Sequence, residues 1–471
     1  MPIRDYLFFE LTNSICSTCL EKAEAKVVFQ NEKVYLWKQC PEHGSEKVLI
    51  ATDIEYFKRI RSYIKPGEMP LKFNTREHFG CPYDCGLCPG HEQHSCLTLI
   101  EVTDRCNLTC PTCYADSGPT HGRHRTLVEI ETMLDIIVAN EGQPDIVQLS
   151  GGEPTIHPQF FEILAAAKKR PIRHLMVNTN GVRIARDAGF ARRLKDYTPG
   201  LELYLQFDSF EEKALRTLRG EDLREVRMKA LERLNELGIS TTLVVTVQKG
   251  LNNHEIGKII EFGLQNPCVR GVTFQPVQVA GRLEGFDPAR DRYTLTEIRS
   301  DILSQTNIFT PDDLLPVPCN PDSLAMAYAL KVDGKVYPLT RHLNPDDLLN
   351  SDKNTIVYEQ DKLLREKAIS LFSTANSPET AGQKLKALLC CLPGINAPTL
   401  GYDNVFRVII MQFLDKYNFD VRVAKKSCVH IVNKDGKIIP FDTMNLFYRD
   451  GLSEKLERIR KRIRPEAPSA A

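Results

Sequence analysis

The chain has 471 residues, of which 42% are hydrophobic and 26% are charged, and this is the composition of a globular protein with about three domains. Its 61 Lys and Arg residues balance 61 Asp and Glu residues, so the zero net charge gives no electrostatic reason to expect a nucleic-acid groove. No run of about 18 apolar residues occurs, and no basic segment followed by an apolar one stands at the start, so we expect neither a membrane-spanning helix nor a secretory signal.

The cysteines are the most informative residue type. The chain has 15 of them, and ten lie within the first 113 residues. A chain of this length without an export signal is not a small disulfide scaffold, so the clustered cysteines indicate metal or iron–sulfur ligands in a reducing cytoplasm.

Residues 1–50 contain short strand-like runs between two pairs of potential metal ligands. The pairs are Cys16 with Cys19, and Cys40 with His43. Two short hairpins that each present a pair of ligands form a ribbon or rubredoxin-like knuckle, and a mononuclear site needs four ligands. We therefore predict one bound iron or zinc ion, with loose reduced thiols as the alternative.

Residues 51–96 predict a linker helix followed by a loop rich in cysteine and glycine. The cysteines of this loop are Cys81, Cys85, Cys88 and Cys96. An iron–sulfur cubane needs four thiolates that converge on one small core, and glycines let the backbone fold tightly round it. We predict an auxiliary [4Fe-4S] cluster here, with a second zinc site as the alternative.

From residue 97 to residue 285, buried strands alternate with helices. The predicted strands are LTLIEVT, DIVQLS, HLMVNT, LELYLQF, STTLVVTV and GVTFQPV, and the predicted helices are 127–138, 158–169, 184–194, 221–237 and 255–264. This alternation predicts an α/β fold with a parallel sheet, in the form of a partial (βα)6 TIM-like barrel. Binding groups are then expected at the carboxyl ends of the strands.

A cysteine triplet follows the first of these strands. Cys106, Cys110 and Cys113 are spaced C-x3-C-x2-C, and Pro111 favours a loop that wraps a ligand over a helix. Three thiolates leave one iron of a cubane open, and that iron can chelate a small molecule through an amine and a carboxylate. A zinc site with a distant fourth ligand is the alternative.

The second strand ends in Gly151-Gly152-Glu153-Pro154. Glycines at a strand end let bare backbone approach a bound ligand, and Glu153 can accept a hydrogen bond from an ammonium group. The position of this motif, one strand–helix unit after the triplet, strongly favours the cubane interpretation.

Together the two motifs resemble those of the radical SAM superfamily over residues 97–282. The resemblance implies a [4Fe-4S] cluster on the triplet, with S-adenosylmethionine on its open iron and its methionine amino group against the GGEP segment. It also implies that Asn180 lies near the methionine or ribose and that Asp208 follows the fourth strand. The residue before the third cysteine, often aromatic in the superfamily, is Thr112 here, so Tyr114 takes its place as the candidate for adenine packing.

A narrower resemblance spans nearly the whole chain. CxxC…CPEHG, GCPYDCGLCP, the triplet, LQFD and QPVQVAGR resemble the family of tetraether lipid synthases and dihydropterin methyltransferases. It implies an enzyme that cleaves S-adenosylmethionine to a 5′-deoxyadenosyl radical and functionalises an unactivated carbon, with auxiliary clusters and an electron donor such as flavodoxin or ferredoxin. We expect C–C bond formation on a lipid chain. A pterin-ring methyltransferase is the first alternative, and a metal-ribbon nucleic-acid binder or an electron-transfer protein is an alternative of another class.

Residues 286–471 are expected to form an α+β extension that contacts the substrate. Cys319, Cys391 and Cys428 lie in turn-like contexts and are candidates for a second auxiliary cluster, in which His430 could replace one thiolate.

Two features of the extension bear on a lipid substrate. The apolar runs 405–414 and 324–330 could wall a tunnel for a lipid chain, although ordinary core packing explains either run alone. The tail KLERIRKRIRP predicts a basic amphipathic helix that could touch an anionic membrane surface, although a solvated terminal helix is more common. We therefore expect a cytoplasmic protein with at most peripheral membrane contact.

Overall fold

The computed structural model describes residues 4–332, 334–343, 345–351, 355–356, 404–433, 435–449 and 451–464. Its strands are β1 Leu7–Ile15, β2 Lys22–Gln30, β3 Lys33–Cys40, β4 Gly44–Ala51, β5 Leu97–Thr103, β6 Ile146–Gly151, β7 His174–Thr179, β8 Leu201–Gln206, β9 Thr241–Val247, β10 Val269–Pro276, β11 Leu315–Pro316, β12 Leu324–Val332, β13 Lys335–Pro338, β14 Val405–Met411, β15 Val429–Val432 and β16 Ile438–Pro440. Its helices are α1 Ile54–Arg59, α2 Leu127–Glu141, α3 Phe160–Lys168, α4 Val182–Arg186, α5 Ala188–Leu194, α6 Glu212–Arg219, α7 Arg224–Leu237, α8 Ile256–Gln265, α9 Leu295–Gln305, α10 Pro345–Leu349, α11 Val421–Lys425, α12 Phe441–Thr443 and α13 Ser453–Ile463.

The first four strands form an antiparallel sheet in the order β1-β2-β3-β4. Along β3, buried Val34 and Leu36 alternate with more exposed residues, as expected for a sheet with one face on the core. β3 ends at Cys40, which pairs with Gly44 across the turn to β4, so the turn presents His43 beside the thiol.

The larger sheet is built on six parallel strands in the order β10-β9-β8-β7-β6-β5. Helices connect these strands, as the alternating pattern predicts, because parallel neighbours need a crossover. β14 adds in parallel to β10 and β15 adds in parallel to β5, so the C-terminal extension lengthens both edges of the sheet. The α/β fold with a parallel strand–helix core in a mixed sheet and with an N-terminal ribbon is thereby confirmed, whereas the domain limits at 50, 96 and 285 stay a prediction.

Side chains alternate between the two faces of the parallel strands. Residues such as Leu203 and Val245 pack outward against the helices, whereas Met176, Tyr204 and Val244 point into the barrel lumen. The lumen therefore has its own apolar core, with an open mouth at the carboxyl ends of the strands.

A buried ionic network lies deep in the lumen. Glu202 on β8 is fully buried and accepts hydrogen bonds from Arg407 at 2.6 and 2.9 Å and from His174 at 3.1 Å. Burial opposes ionisation, but Arg407 and His174 outweigh it and lower the pKa of Glu202 below its usual range. The network thus joins β7, β8 and β14 beneath the cavity.

Helix α13 contains the basic tail segment. Its apolar residues Leu456 and Ile459 are buried against the protein, and Arg460 donates to the Tyr83 carbonyl at 2.6 Å. Most of the apolar face is therefore covered, and a membrane contact finds no support in this packing. Within the described ranges, no helix is both long and apolar enough to cross a membrane.

Candidate functional site

The cysteine triplet lies at the mouth of the barrel, directly after β5. Cys106, Cys110 and Cys113 all line a cavity of about 150 Å³ that extends into the lumen. Their sulfur atoms do not all lie within 4.8 Å of one another, unlike those of the tighter groups described below. A cubane bound to three thiolates leaves one iron without a protein ligand, so a triplet at this opening fits a cluster whose open iron faces the cavity.

Arg282, in the loop after β10, straps the triplet loop to the barrel. The backbones of Cys113 and Arg282 exchange two hydrogen bonds, of 3.0 and 2.9 Å. The Arg282 side chain donates to the carbonyl of Cys110 at 2.7 Å and to that of Ser117 at 2.7 Å. The loop conformation therefore depends on a residue about 170 positions later in the chain.

Burial keeps the thiols of Cys106 and Cys110 protonated when no metal is bound. It raises the pKa of Cys106 to about 12, helped by the charge of Glu153, and burial also raises the pKa of Cys110 against the influence of Arg219. Metal binding at these thiols must therefore release protons.

The GGEP segment joins the ends of β5 and β6. A Cβ on Gly151, whose φ is +117°, would lie 2.2 Å from the Thr103 carbonyl oxygen, and one on Gly152 would lie 2.0 Å from the Arg105 carbonyl oxygen. Both positions therefore require glycine because the two strand ends meet here. This is a different reason from the expected approach of a ligand, although both glycines also line the cavity.

Glu153 is almost fully buried and is already saturated with protein donors. It accepts from Thr155, from the Thr179 hydroxyl at 2.8 Å and from the Asn180 backbone at 2.7 Å. Pro154 follows it as the first residue of a short 3-10 turn. The carboxylate thus holds the ends of β6 and β7 together, and its contact with an ammonium group stays a prediction.

Asn180 and Tyr114 both line the cavity beside the triplet. The Asn180 amide lies 3.9 Å from the Cys106 sulfur and donates to Asn107 at 2.7 Å. The Tyr114 hydroxyl lies 3.0 Å from the Ser150 hydroxyl, and its ring packs against Phe441. Both residues are therefore close enough to the triplet to contact a bound cofactor.

Asp208 lies behind the cavity wall, and Arg219 stands in front of it. Asp208 has a φ of +66° and accepts two hydrogen bonds of 2.7 Å from Arg219. Arg219 lines the cavity and reaches Cys110. Asp208 therefore acts on the site through Arg219, which the sequence analysis missed because no motif surrounds it.

A second three-cysteine group lies at the opposite, N-terminal end of the barrel strands. The sulfur atoms of Cys96, Cys319 and Cys428 lie within 4.8 Å of one another, and the last two are 3.3 Å apart. His94 lies 3.6 Å from the Cys96 sulfur and contacts Glu141 at 2.9 Å through its other ring nitrogen. We call this group, with His94, the floor group.

The floor group is deeply buried. Burial raises the pKa of Cys96, whereas hydrogen bonds from the other two thiols overcome burial and lower the pKa of Cys319. Leu97 and Val429, which directly follow Cys96 and Cys428, line the cavity. The floor group thus lies just behind the wall of the cavity that the triplet opens into.

The remaining cysteines of the 81–96 loop stay near one another. The neighbouring Cys85 thiol lowers the pKa of Cys81, and the Cys88 sulfur lies 3.3 Å from a carboxylate oxygen of Glu77. The structure therefore separates Cys96 from the other three members of its predicted set. Cys391, predicted with Cys319 and Cys428, lies outside the described residues.

The N-terminal ribbon brings its four predicted ligands together. Atoms of Cys16, Cys19, Cys40 and His43 lie within 4.8 Å of one another. The Cys19 and Cys40 sulfurs are 3.9 Å apart and Cys40 lies 3.5 Å from the His43 ring. These separations match one tetrahedral zinc or iron ion.

Two protein-family models match the chain. The radical SAM superfamily matches residues 100–263, and the HMPTM N-terminal zinc ribbon domain matches residues 8–52.

Individual proteins are also similar to the chain. The 7,8-dihydro-6-hydroxymethylpterin dimethyltransferase of Methanocaldococcus jannaschii is 30% identical over 483 residues, which covers 94% of this chain and 95% of that protein. The GTP 3′,8-cyclase of Chlorobaculum tepidum is 29% identical over 202 residues, which covers 41% of this chain and 59% of that protein. Among solved structures, Streptococcus suis SuiB bound to S-adenosylmethionine is 18% identical, with a TM-score of 0.37 and coverage of 45% of this chain and 48% of that one.

Proposed function

The chain belongs to the radical SAM family that includes the Methanocaldococcus jannaschii protein, and we propose that it is a methyltransferase that acts on the ring of a reduced pterin. One observation carries the proposal: the similarity to the pterin dimethyltransferase extends over 94% of the chain. It therefore includes the regions outside the barrel, where substrate-specific parts of such enzymes are found, and not only the shared catalytic core.

The triplet fits the cofactor of this superfamily. A [4Fe-4S] cluster bound there would supply one electron for the reductive cleavage of S-adenosylmethionine to methionine and a 5′-deoxyadenosyl radical. Cys106, Cys110 and Cys113 would hold the cluster, Gly151–Pro154 and Asn180 would line the methionine, and Tyr114 would pack near the adenine. Asp208 would fix the Arg219 guanidinium on the cavity wall. The enclosed lumen would keep water from the reacting atoms, and a flavodoxin or ferredoxin would deliver electrons.

We also propose metal centres outside the mouth. Cys16, Cys19, Cys40 and His43 would hold one iron or zinc ion. The floor group would hold an iron–sulfur or mononuclear centre, in which Glu141 orients His94 as a carboxylate behind a metal-bound imidazole does.

The three loop cysteines form a separate candidate centre. Cys81, Cys85 and Cys88 remain as ligands of a further auxiliary cluster, because Cys96 has joined the floor group. The four cysteines predicted to hold one auxiliary cluster are thus divided between this loop and the floor group.

A lipid substrate is the second candidate, and one observation favours it. Leu99, Met411, Phe413 and Phe441 form an apolar wall of the same cavity, and Met411 and Phe413 fall within the 405–414 run. A hydrocarbon chain could lie against this wall during C–C bond formation.

Anaerobic turnover with separated substrates tests the two candidates. Reconstituted protein and a reductant are mixed either with 7,8-dihydro-6-hydroxymethylpterin or with a saturated-chain phospholipid. An excess of S-adenosylmethionine with a deuterated methyl group is added, so that one molecule can form the radical and a second can donate its methyl group and leave as S-adenosylhomocysteine. We expect mass spectrometry to detect a methylated pterin that is absent with Cys106→Ala. Coupled or methylated lipid chains, without any change in the pterin, would instead support the second candidate.

A further inference from the structure

Carboxamide side chains converge in the lumen beneath the triplet. Gln148 on β6, Asn178 on β7, Gln206 on β8 and Gln275 on β10 all line the cavity, and Gln278 joins them from the loop after β10. The four strand residues occupy inward-facing positions of neighbouring or nearby strands, so the sheet itself sets their separation.

Several of these amide atoms are buried without a hydrogen-bond partner. Gln148 is 3% exposed, and its Nε2 has no partner, nor do Oδ1 of Asn178 and Oε1 of Gln278. An unsatisfied buried polar atom costs about 1–3 kcal/mol, so three together are unusual unless a ligand satisfies them.

The other amide groups are anchored by protein contacts. Asn178 donates to the Ser150 hydroxyl at 3.4 Å, and Gln275 donates to the Tyr204 hydroxyl at 3.1 Å. The amide nitrogens of these two side chains are therefore held in place, while other amide atoms remain in the lumen as free donors and acceptors. The lumen wall is thus already arranged to bind a polar molecule.

The wall has no spare positive charge for a phosphate group. Among the described residues that line the cavity, Arg219 is the charged one, and Asp208 holds it with two hydrogen bonds of 2.7 Å. A phosphorylated substrate normally requires unpaired Arg or Lys side chains or a helix N-terminus. The carboxamide-lined part of the cavity therefore suits an uncharged substrate beside the cofactor.

We infer that Gln148, Asn178 and Gln278 bind the lactam and amine edge of an uncharged heterocycle, which for the proposed function is an unphosphorylated reduced pterin. A lactam offers a carbonyl to the Gln148 amide donor, and its N–H and an adjacent amino group offer donors to the two amide oxygens. A hydrocarbon chain would leave all three atoms unsatisfied. This inference rests on the proposed function and adds the residues that select the substrate.

The test measures pterin binding to the reconstituted full-length enzyme. Gln148→Met keeps the length of the side chain but removes the amide, and Gln159→Met makes the same change at an exposed position before α3. Quenching of pterin fluorescence reports the Kd for 7,8-dihydro-6-hydroxymethylpterin and for its diphosphate ester. Substrate-free formation of 5′-deoxyadenosine reports whether the cluster is intact.

We expect Gln148→Met to weaken pterin binding about tenfold and to raise KM more than it lowers kcat. Gln278→Met should behave similarly, which covers the case that Gln148→Met fails to fold. Gln159→Met should bind as wild type, and the diphosphate ester should bind no more tightly than the free pterin.

The failures are distinguishable. Tight pterin binding by wild type and by both lumen variants would overturn this inference alone, as would a clear preference for the diphosphate ester. If the wild-type enzyme binds no pterin, the proposed function and the inference fall together.

Discussion

The two ends of the barrel each carry three cysteines, but they are built differently. At the mouth, Cys106, Cys110 and Cys113 come from one loop and are spread along the cavity wall. At the floor, Cys96, Cys319 and Cys428 come from three distant segments and are drawn within 4.8 Å of one another.

This difference distinguishes a site at the mouth that leaves a coordination position free from a site at the floor that protein ligands can fill completely. Ligands from one short loop leave a side of the metal facing the cavity, where a substrate or cofactor can bind. Ligands from three segments, with the His94 ring beside them, surround a centre and tie the C-terminal extension to β5. We expect the mouth to perform chemistry and the floor to transfer electrons or stabilise the fold.

The largest effect should follow from breaking the mouth. Cys106→Ala removes one of three ligands of an open cluster, so formation of 5′-deoxyadenosine should fall at least a thousandfold, to background. Chromatographic assay of the anaerobic, reconstituted enzyme measures it. Cys268→Ala, at a buried cysteine of the outer core, is the matched control and should keep wild-type activity. Cleavage of S-adenosylmethionine by Cys106→Ala at the wild-type rate would contradict the assignment of the triplet as cluster ligands.

Removing a cysteine of the floor group should change metal content and product formation without abolishing cleavage of S-adenosylmethionine. Cys428→Ala should lower the metal content by one centre and reduce product formation at least tenfold, while cleavage of S-adenosylmethionine persists. Metal analysis and paired assays of 5′-deoxyadenosine and product give the comparison. An unchanged metal content in Cys428→Ala would show that the floor holds no metal, and loss of all cleavage would show that the two ends are not separate.

Lowering the pH should reduce the free energy of unfolding more through the buried histidines beside the floor group than through the histidine at the mouth. His91 packs against His430 at the floor, and burial lowers the pKa of His91 from 6.5 to about 4. Between these values the unfolded chain binds a proton that the folded chain excludes. The stabilisation that neutral His91 contributes is therefore fully present above pH 6.5 and is lost as the pH falls toward 4.

Between pH 7.5 and pH 5, the free energy of unfolding should fall by about 2 kcal/mol more in wild type than in His91→Gln, since one pKa unit corresponds to about 1.4 kcal/mol. Denaturant titrations at both pH values measure this difference. The counterpart at the mouth, His124→Gln, should have a smaller effect because His124 is only half-buried. Equal pH dependence in wild type and His91→Gln would contradict the prediction.

The smallest effect concerns the helix that follows the triplet loop. Thr126 caps α2, and its hydroxyl and the Glu129 carboxylate each accept from the other's backbone. Thr126→Ala should cost about 1 kcal/mol of unfolding free energy, and Thr126→Ser should cost less because it keeps the hydroxyl. Metal content should stay constant at both ends, so a loss of iron in Thr126→Ala would show that the cap supports the cluster loop directly.

Local patterns predicted the strands and the loop positions of the mouth well. The triplet and GGEP are contiguous motifs, and each stands at a strand end that the hydrophobic pattern also predicts. The helix expected at 221–237 begins instead at Arg224. A separate helix ends at Arg219 and is followed by Gly220, whose φ of +84° interrupts the helical pattern.

Features that depend on distant residues were not predictable from these patterns. The partners of Cys96 follow from the parallel pairing of β15 with β5, which places Cys428 beside Cys96. Arg219 belongs to the site because Asp208 holds it. No spacing rule connects such residues, since folding alone brings them together.

The strap from Arg282 to the triplet loop also has a consequence for how the protein is made. The four ribbon ligands are all present once residue 43 has been synthesised, but the triplet loop obtains its strap only after residue 282, and the floor group is complete only after Cys428. The three groups of candidate metal ligands therefore become available in the order of synthesis, first in the ribbon, then at the mouth and last at the floor. A ribosome-bound chain that stops before the C-terminal extension can already carry a strapped triplet while the opposite end of its barrel still lacks two of three thiols.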